Sequence, residues 1–132
     1  MSLFLLDVNA LLAVGFNGHD LSPRAEAWIA GLTEDAILAT CPITELGFVR
    51  ILQQAPQYQV PVSLACALLA GLKSNSKRPF RFIADDQSAD SLPAWVTTGR
   101  QTTDGHLLQL AAAHGAVLAT FDLGIPGAFQ IP

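Results

Sequence analysis

Four consecutive apolar residues, Leu3 to Leu6, run without alternation into Asp7. A strand that is apolar at every position has both faces covered, which is the habit of a parallel strand with helices on each side. The pattern recurs. Ala36 to Ala39 reads as a second short apolar strand, and Ala116 to Thr120 as another, with Asp122 shortly after it. Phe80 to Ile83 alternates apolar and basic residues and reads as a short edge strand; Phe129 to Ile131 reads as a last one.

Helical patterns lie between these runs. Ala10 to Val14 forms a short helix broken by Gly15, Asn17 and Gly18. Ser22-Pro23 has the form of an N-cap followed by a first-turn proline. The helix it opens runs to about Leu32, with Ala25, Trp28, Ile29 and Leu32 on one face. Thr40, Cys41 and Pro42 open another helix, ended by Pro56, with Ile43, Leu46, Phe48, Val49 and Leu52 as its apolar positions. Pro61 to Leu72 is a further helix, closed by Gly71 and a polar loop from Lys73 to Pro79. Asp85 to Val96 reads as one irregular helix and Gly99 to Thr103 as a loop. Asp104 to His114 is a helix stopped by Gly115. Strands that alternate with helices predict an α/β fold with a parallel sheet and right-handed crossovers. Sites in such folds form outside the carboxyl ends of the strands. Asp7 and Asp122 stand there.

The length of 132 residues corresponds to one domain, residues 1–132. Only 14% of the residues are charged, against roughly 25% in an ordinary soluble domain, so each charge in an apolar stretch carries information. The net charge of −4 excludes a basic surface covering the whole molecule, but not a local basic strip. Cys41 and Cys66, both in apolar company, read as small core residues in a reducing compartment. The apolar N-terminus lacks a basic leader and is interrupted by Asp7 and Asn9, unlike a secretory signal. Val60 to Leu72, 13 residues, is too short to span a bilayer. A cytoplasmic protein without a membrane partner is the expectation.

Four acids stand apart from other charges: Asp7 in LLDVNALL, Glu45 in PITELGFV, Asp104 in TTDGHLLQL and Asp122 in LATFDLG. Without them, 11 − 4 leaves 7 acidic residues against 7 basic, so these four account for the whole net charge. Clustered carboxylates are costly unless they are paired or bind a cation. Arg50, five residues after Glu45, and Arg100, four before Asp104, are the nearest candidates for pairing. The alternative is a hard divalent cation, Mg²⁺ or Mn²⁺, which prefers carboxylates and keeps positions open for a phosphate. His19, His106 and His114 are not at zinc-ligand spacing, and the cysteines form no CxxC. Each acid also has an ordinary structural use. Asp7 suits a helix cap, Asp104 and Glu45 suit the first turn of a helix, and Asp122 suits a turn. Placed together at one end of a sheet, the four suit a site better than four separate caps.

The three blocks LLDVNALLA, TCPITELGFVRIL and TTDGHLLQLAAAHGAVLATFD, in this order and in so short a chain, resemble a PIN domain. They are most similar to the VapC-type toxins of bacterial toxin–antitoxin pairs, and the resemblance covers roughly Leu3 to Ile131. It implies a three-layer α/β/α sandwich around a parallel sheet, and Mg²⁺- or Mn²⁺-dependent endoribonuclease activity. Metal-activated water would then hydrolyse RNA to 5′-phosphate and 3′-hydroxyl ends. The family's four acids map onto Asp7, Glu45, Asp104 and Asp122. Asp7 and Asp104 are expected to bind the metal directly, and Glu45 and Asp122 through water or at a second ion. Asn9 and Thr120 map onto the polar residues that hydrogen-bond these ligands. Gly105 departs from the usual larger residue after the third acid, which predicts a looser helix start. The resemblance further implies a homodimer and a cognate antitoxin laid over the active site. The apolar excess fits surface covered by such partners.

Lys73, Lys77, Arg78 and Arg81 form the one local cationic cluster in the sequence, suited either to guiding an RNA backbone or to a solvated loop. Trp28 and Trp95 read as core or interface residues, and His106 and His114 as packing or capping residues. An aspartyl-nucleophile phosphatase or a phospho-receiver requires a late lysine, and none follows Lys77. The alternative to a nuclease is a non-catalytic PIN-like module that binds RNA or protein.

Overall fold

A computed structural model describes residues 2–75, 77–78 and 80–132. The chain runs β1 (Leu3–Leu6), α1 (Val8–Gly15), α2 (Ser22–Ala30), β2 (Ile37–Thr40), α3 (Pro42–Gln54) and α4 (Val62–Asn75). It continues with β3 (Phe80–Phe82), α5 (Thr102–Ala113), β4 (Val117–Thr120) and β5 (Phe129–Gln130), with two single 3₁₀ turns at Ala89–Ser91 and Gly99–Gln101. The five strands form one sheet in the order β3-β2-β1-β4-β5, and every described pairing is parallel.

The unalternated strands are apolar because both of their faces are covered. Phe4 and Leu6 pack with α1 to α4, whereas Leu3 and Leu5 pack with Leu107, Leu110 and Ala111 of α5. The result is the expected three-layer arrangement, with α1–α4 on one face and α5 on the other. β1 is central and buried throughout. It pairs with β2 on one side and with β4 on the other, at Leu5↔Leu118 and Leu6↔Ala119. The chain therefore builds outward from β1 in one direction, then returns to build in the other. The gap beyond the carboxyl ends of β1 and β4 is where such a sheet opens a crevice. A 3.1 Å bond from the Asp7 N–H to the Ala119 carbonyl holds the two strand ends together.

Gly47 lets α3 cross α1 closely. A Cβ there would stand 2.6 Å from Val8 Cγ2, closer than real atoms approach. Gly115, at φ +69°, ends α5 in the left-handed conformation that glycine adopts without a steric penalty.

Several expectations change. Residues 85–96 are not a helix beyond the single turn Ala89–Ser91. The Asp85 carboxylate is bonded to His106 Nε2 (2.7 Å) and the Asp86 carboxylate to His114 Nε2 (2.9 Å), both on α5. Pro93 supplies no N–H and restricts the residue before it. This segment is thus pinned across α5 instead of coiling on itself. α4 runs through Gly71 to Asn75, so Lys73 lies on the helix and not in a loop; the rest of the expected loop includes positions 76 and 79, which lie outside the described residues. α5 begins two residues before Asp104, at Thr102. The α2 N-cap is Leu21, not Ser22, and makes no side-chain capping bond. Leu46 is 67% exposed rather than core. Cys41 is buried as expected, but Cys66 is exposed. Trp28 is core, stacked edge-on against Phe4, and Trp95 packs half-buried on the α5 side. Among the described residues, no helix is long and apolar enough to cross a membrane.

Candidate active site

Asp7 is both a cap and a site residue. One carboxylate oxygen accepts from the Ala10 N–H (2.8 Å) at the start of α1. The other accepts from the Thr120 hydroxyl (2.5 Å) at the end of β4. The Thr120 oxygen in turn accepts from the Asp122 N–H (2.9 Å), and the Asp122 carboxylate accepts from the Gly124 N–H (2.8 Å). A chain of hydrogen bonds therefore fixes the β4 exit against the β1 exit. Asp104, in the first turn of α5, faces the same space from the other layer.

These groups line an open cleft of about 420 Å³, together with Val8, Asn9, Thr103, Leu107 and Phe121. Asp7 is only 7% exposed. Burial pushes its carboxyl above the ordinary value; the bonds from Thr120 and Ala10 pull it back, and the charges of Asp104 and Asp122 push it up again. Asp104 is also raised, first by burial and then by Asp122. Asp7 thus senses both neighbouring acids, and Asp104 senses the charge of Asp122. None of the described ion pairs involves them.

Glu45 stands apart. Its carboxylate accepts from the Thr40 hydroxyl (2.6 Å) and pairs with the Lys73 ammonium (2.6 Å). It faces a neighbouring apolar cleft with Leu46, Val49 and Phe82, not the cleft of the three aspartates. The partner is Lys73, 28 residues away, rather than Arg50. Arg100 likewise makes no described bond to Asp104. Of the two expected supporting residues, Thr120 bonds Asp7 directly, whereas Asn9 bonds His19, through Oδ1 to Nε2 (2.8 Å). His19 carries no site signature in the sequence. It lies in the irregular turn between α1 and α2, where no periodicity marks it.

The cationic cluster is dispersed. Lys73 serves Glu45 and lies over the Phe82 ring. The Arg78 guanidinium bonds the carbonyls of Thr33 (2.5 Å), Ile29 and Leu32, tying down the end of α2. Lys77 and Arg78 precede β3, so they lie at the amino end of the parallel sheet, opposite the aspartates. Arg81 is on β3 itself.

The donor set of Asp7, Asp104 and Asp122 is hard oxygen with excess negative charge, which suits Mg²⁺ or Mn²⁺. The pockets of positive charge that would otherwise neutralise it are absent from the described ion pairs. Among the described residues, no three His, Cys, Asp or Glu side chains are already drawn together as a metal cage.

No protein-family model matches the chain. Curated relatives do. Ribonuclease VapC38 of Mycobacterium tuberculosis is 39% identical over 125 residues, covering 92% of this chain and 86% of the relative. The chain belongs to the VapC family of PIN-domain toxins. Ribonuclease VapC44 of the same organism is also 39% identical, over 127 residues, with 92% and 87% covered. Ribonuclease VapC39 is 36% identical over 126 residues, with 92% and 89% covered. In fold, the chain is similar to a chain of the crystal structure of VapBC2 from Rickettsia felis bound to a DNA fragment from its promoter. The TM-score is 0.65 at 13% identity, with 97% of this chain and 96% of that one covered. That likeness is one of fold and spans nearly the whole of both chains.

Proposed function

We propose that this VapC-family chain, as one domain over residues 1–132, is an Mg²⁺- or Mn²⁺-dependent endoribonuclease toxin held inactive by a cognate antitoxin. The observation that carries the reading is the convergence of Asp7, Asp104 and Asp122 at the topological switch point with, among the described residues, no cationic side chain paired to them. Its relatives are ribonucleases by name. A divalent ion bound there supplies a water of lowered pKa and offsets charge on the phosphoryl group.

The protein's own residues have the following parts. Asp7 is held in one orientation by Ala10 and Thr120, so its carboxylate is offered to the cleft without a search over rotamers. Asp104 and Asp122 supply carboxylates from the two neighbouring elements. Glu45, the fourth acid of the resemblance, acts from the flank with its charge shared by Lys73. Val8, Leu107 and Phe121 form an apolar rim around the oxygens. Lys77 and Arg81 are the exposed cations of the cluster, and the salt dependence of RNA binding measures their share. The exposed apolar side chains Leu46, Val62, Leu64 and Phe82 are surface for the antitoxin and for a second copy in a homodimer. The antitoxin as partner is part of this proposal and rests on membership of the VapC family.

The test is cleavage of total cellular RNA by the purified chain with Mg²⁺, Mn²⁺ or EDTA, alongside Asp7→Asn. Discrete cuts lost with EDTA and with the substitution support the nuclease. Intact RNA in every lane, after unfolding and refolding to strip any bound partner, favours a non-catalytic RNA- or protein-binding module instead.

A further inference from the structure

Asn9 lines the aspartate cleft, yet it makes no bond to Asp7, Asp104 or Asp122. What it offers the cleft depends on which end of its carboxamide is already engaged. Oxygen and nitrogen of an amide look alike in shape, so the assignment must come from the partners. Here the partners decide. The Leu21 N–H donates to His19 Nδ1 (3.1 Å). A backbone N–H cannot be turned into an acceptor, so Nδ1 carries no proton and the ring proton of the neutral imidazole sits on Nε2. Nε2 lies 2.8 Å from Asn9, and a donor there requires the amide oxygen. Two further bonds hold the turn: His19 N–H to the Phe16 carbonyl (3.1 Å) and Ser22 N–H to the His19 carbonyl (3.0 Å).

The consequence is chemical. A carboxamide oxygen is a hard ligand for Mg²⁺, but an NH₂ group is not. With its oxygen directed to His19, Asn9 has two N–H donors left, and among the described residues none accepts from them. Donors at the rim of an acid-lined cleft suit an anion that the acids alone would repel. We propose that His19 is a positioning residue that turns the Asn9 carboxamide so that its NH₂ faces the cleft, as a donor to a phosphate oxygen of the RNA rather than as a support for the cation. This rests on the nuclease reading above and assigns part of its substrate contact.

The test begins without activity. Long-range ¹H–¹⁵N spectra of the parent protein should show His19 Nδ1 unprotonated and Nε2 protonated. In His19→Ala the side-chain amide resonance of Asn9 should move while backbone resonances away from the turn stay in place. KM for RNA should rise about tenfold, the lower range for loss of one hydrogen bond to a charged group. Mn²⁺ affinity, read by paramagnetic resonance, should change less than twofold. His19→Gln, which retains an N–H donor, should recover part of the KM loss. A protonated Nδ1 overturns the proposal, and so does an unmoved Asn9 resonance with unchanged KM. A fall in Mn²⁺ affinity that matches the loss of activity also overturns it, because Asn9 would then serve the cation. If the parent leaves RNA whole, the nuclease reading fails separately. The tautomer, the Asn9 resonance and RNA affinity by fluorescence anisotropy then decide the local assignment.

Discussion

Gly105→Ala should destabilise this protein, although the same change inside an ordinary exposed helix stabilises it. Gly105 lies in α5 beside Asp104 and is buried. Alanine is favoured over glycine in a helix interior by about 1 kcal/mol. Against that, a Cβ at Gly105 would fall well inside the contact distance of Val96 Cγ2, with Pro93 Cδ at 3.5 Å behind it. The Val96 side chain is β-branched and has little rotamer freedom with which to retreat. Its backbone is tied back by a 3.0 Å bond from the Val96 N–H to the Pro93 carbonyl. Forcing an extra methyl into a packed contact costs about 1–3 kcal/mol. The balance is a net loss of about 1 kcal/mol, or a few degrees in Tm for a domain of this size. Urea unfolding of the parent, Gly105→Ala, Val96→Ala and the double variant tests the cause as well as the size. With Val96 truncated the clash is gone, and Gly105→Ala should then stabilise by about 1 kcal/mol. A Gly105→Ala protein more stable than the parent with Val96 intact would refute the argument. The glycine would then be only a loosened helix start.

Asp7→Asn keeps an oxygen for the Ala10 cap while removing the charge, so it should abolish RNA cleavage yet raise the stability of the metal-free protein near neutral pH. The sign follows from the raised carboxyl of Asp7: its stabilising contribution is complete below the unfolded value of 3.8 and is lost as pH rises through the folded value. The Tm advantage of Asp7→Asn over the parent should therefore be small in acid and grow with pH; an advantage that shrinks as pH rises would contradict it. Mg²⁺ or Mn²⁺ should raise the parent Tm, by an amount equivalent to about 2.7 kcal/mol at a hundredfold excess over Kd, with little effect on Asp7→Asn in a thermal-shift titration. Thr120→Val removes the hydroxyl that links Asp7 to the Asp122 N–H, and should cost about 1–3 kcal/mol in denaturant unfolding. A cost near zero would mean that water replaces the hydroxyl without loss.

Much of the architecture is legible in the residue pattern because burial on both faces removes the alternation of a strand. Leu3–Leu6 and the run up to Thr120 show this directly, and their position before Asp7 and Asp122 puts two acids at one end of the sheet. Segments without a periodic signature were not legible. Residues 85–96 carry enough polar and helix-compatible residues to suggest a helix, but His106 and His114 hold Asp85 and Asp86 from 21 and 28 residues away. Gly71 resembles a stop signal, yet α4 passes through it. The cationic cluster illustrates the same limit. Lys73, Lys77, Arg78 and Arg81 are neighbours in the chain, but a helix end, a turn and a strand send them to different places.

Local composition and period determined by themselves that this chain builds a parallel sheet between helices, and which acids stand free of neighbouring charge. Those are short-range properties, set by side-chain chemistry and by the twofold and 3.6-residue repeats of the backbone. Only the tertiary structure decided the partners. It joined Thr120 to Asp7 across 113 residues, gave Glu45 to Lys73, and turned Asn9 towards His19. Each of these depends on where two distant segments meet, and that is settled by the packing of the helices on the two faces of the sheet.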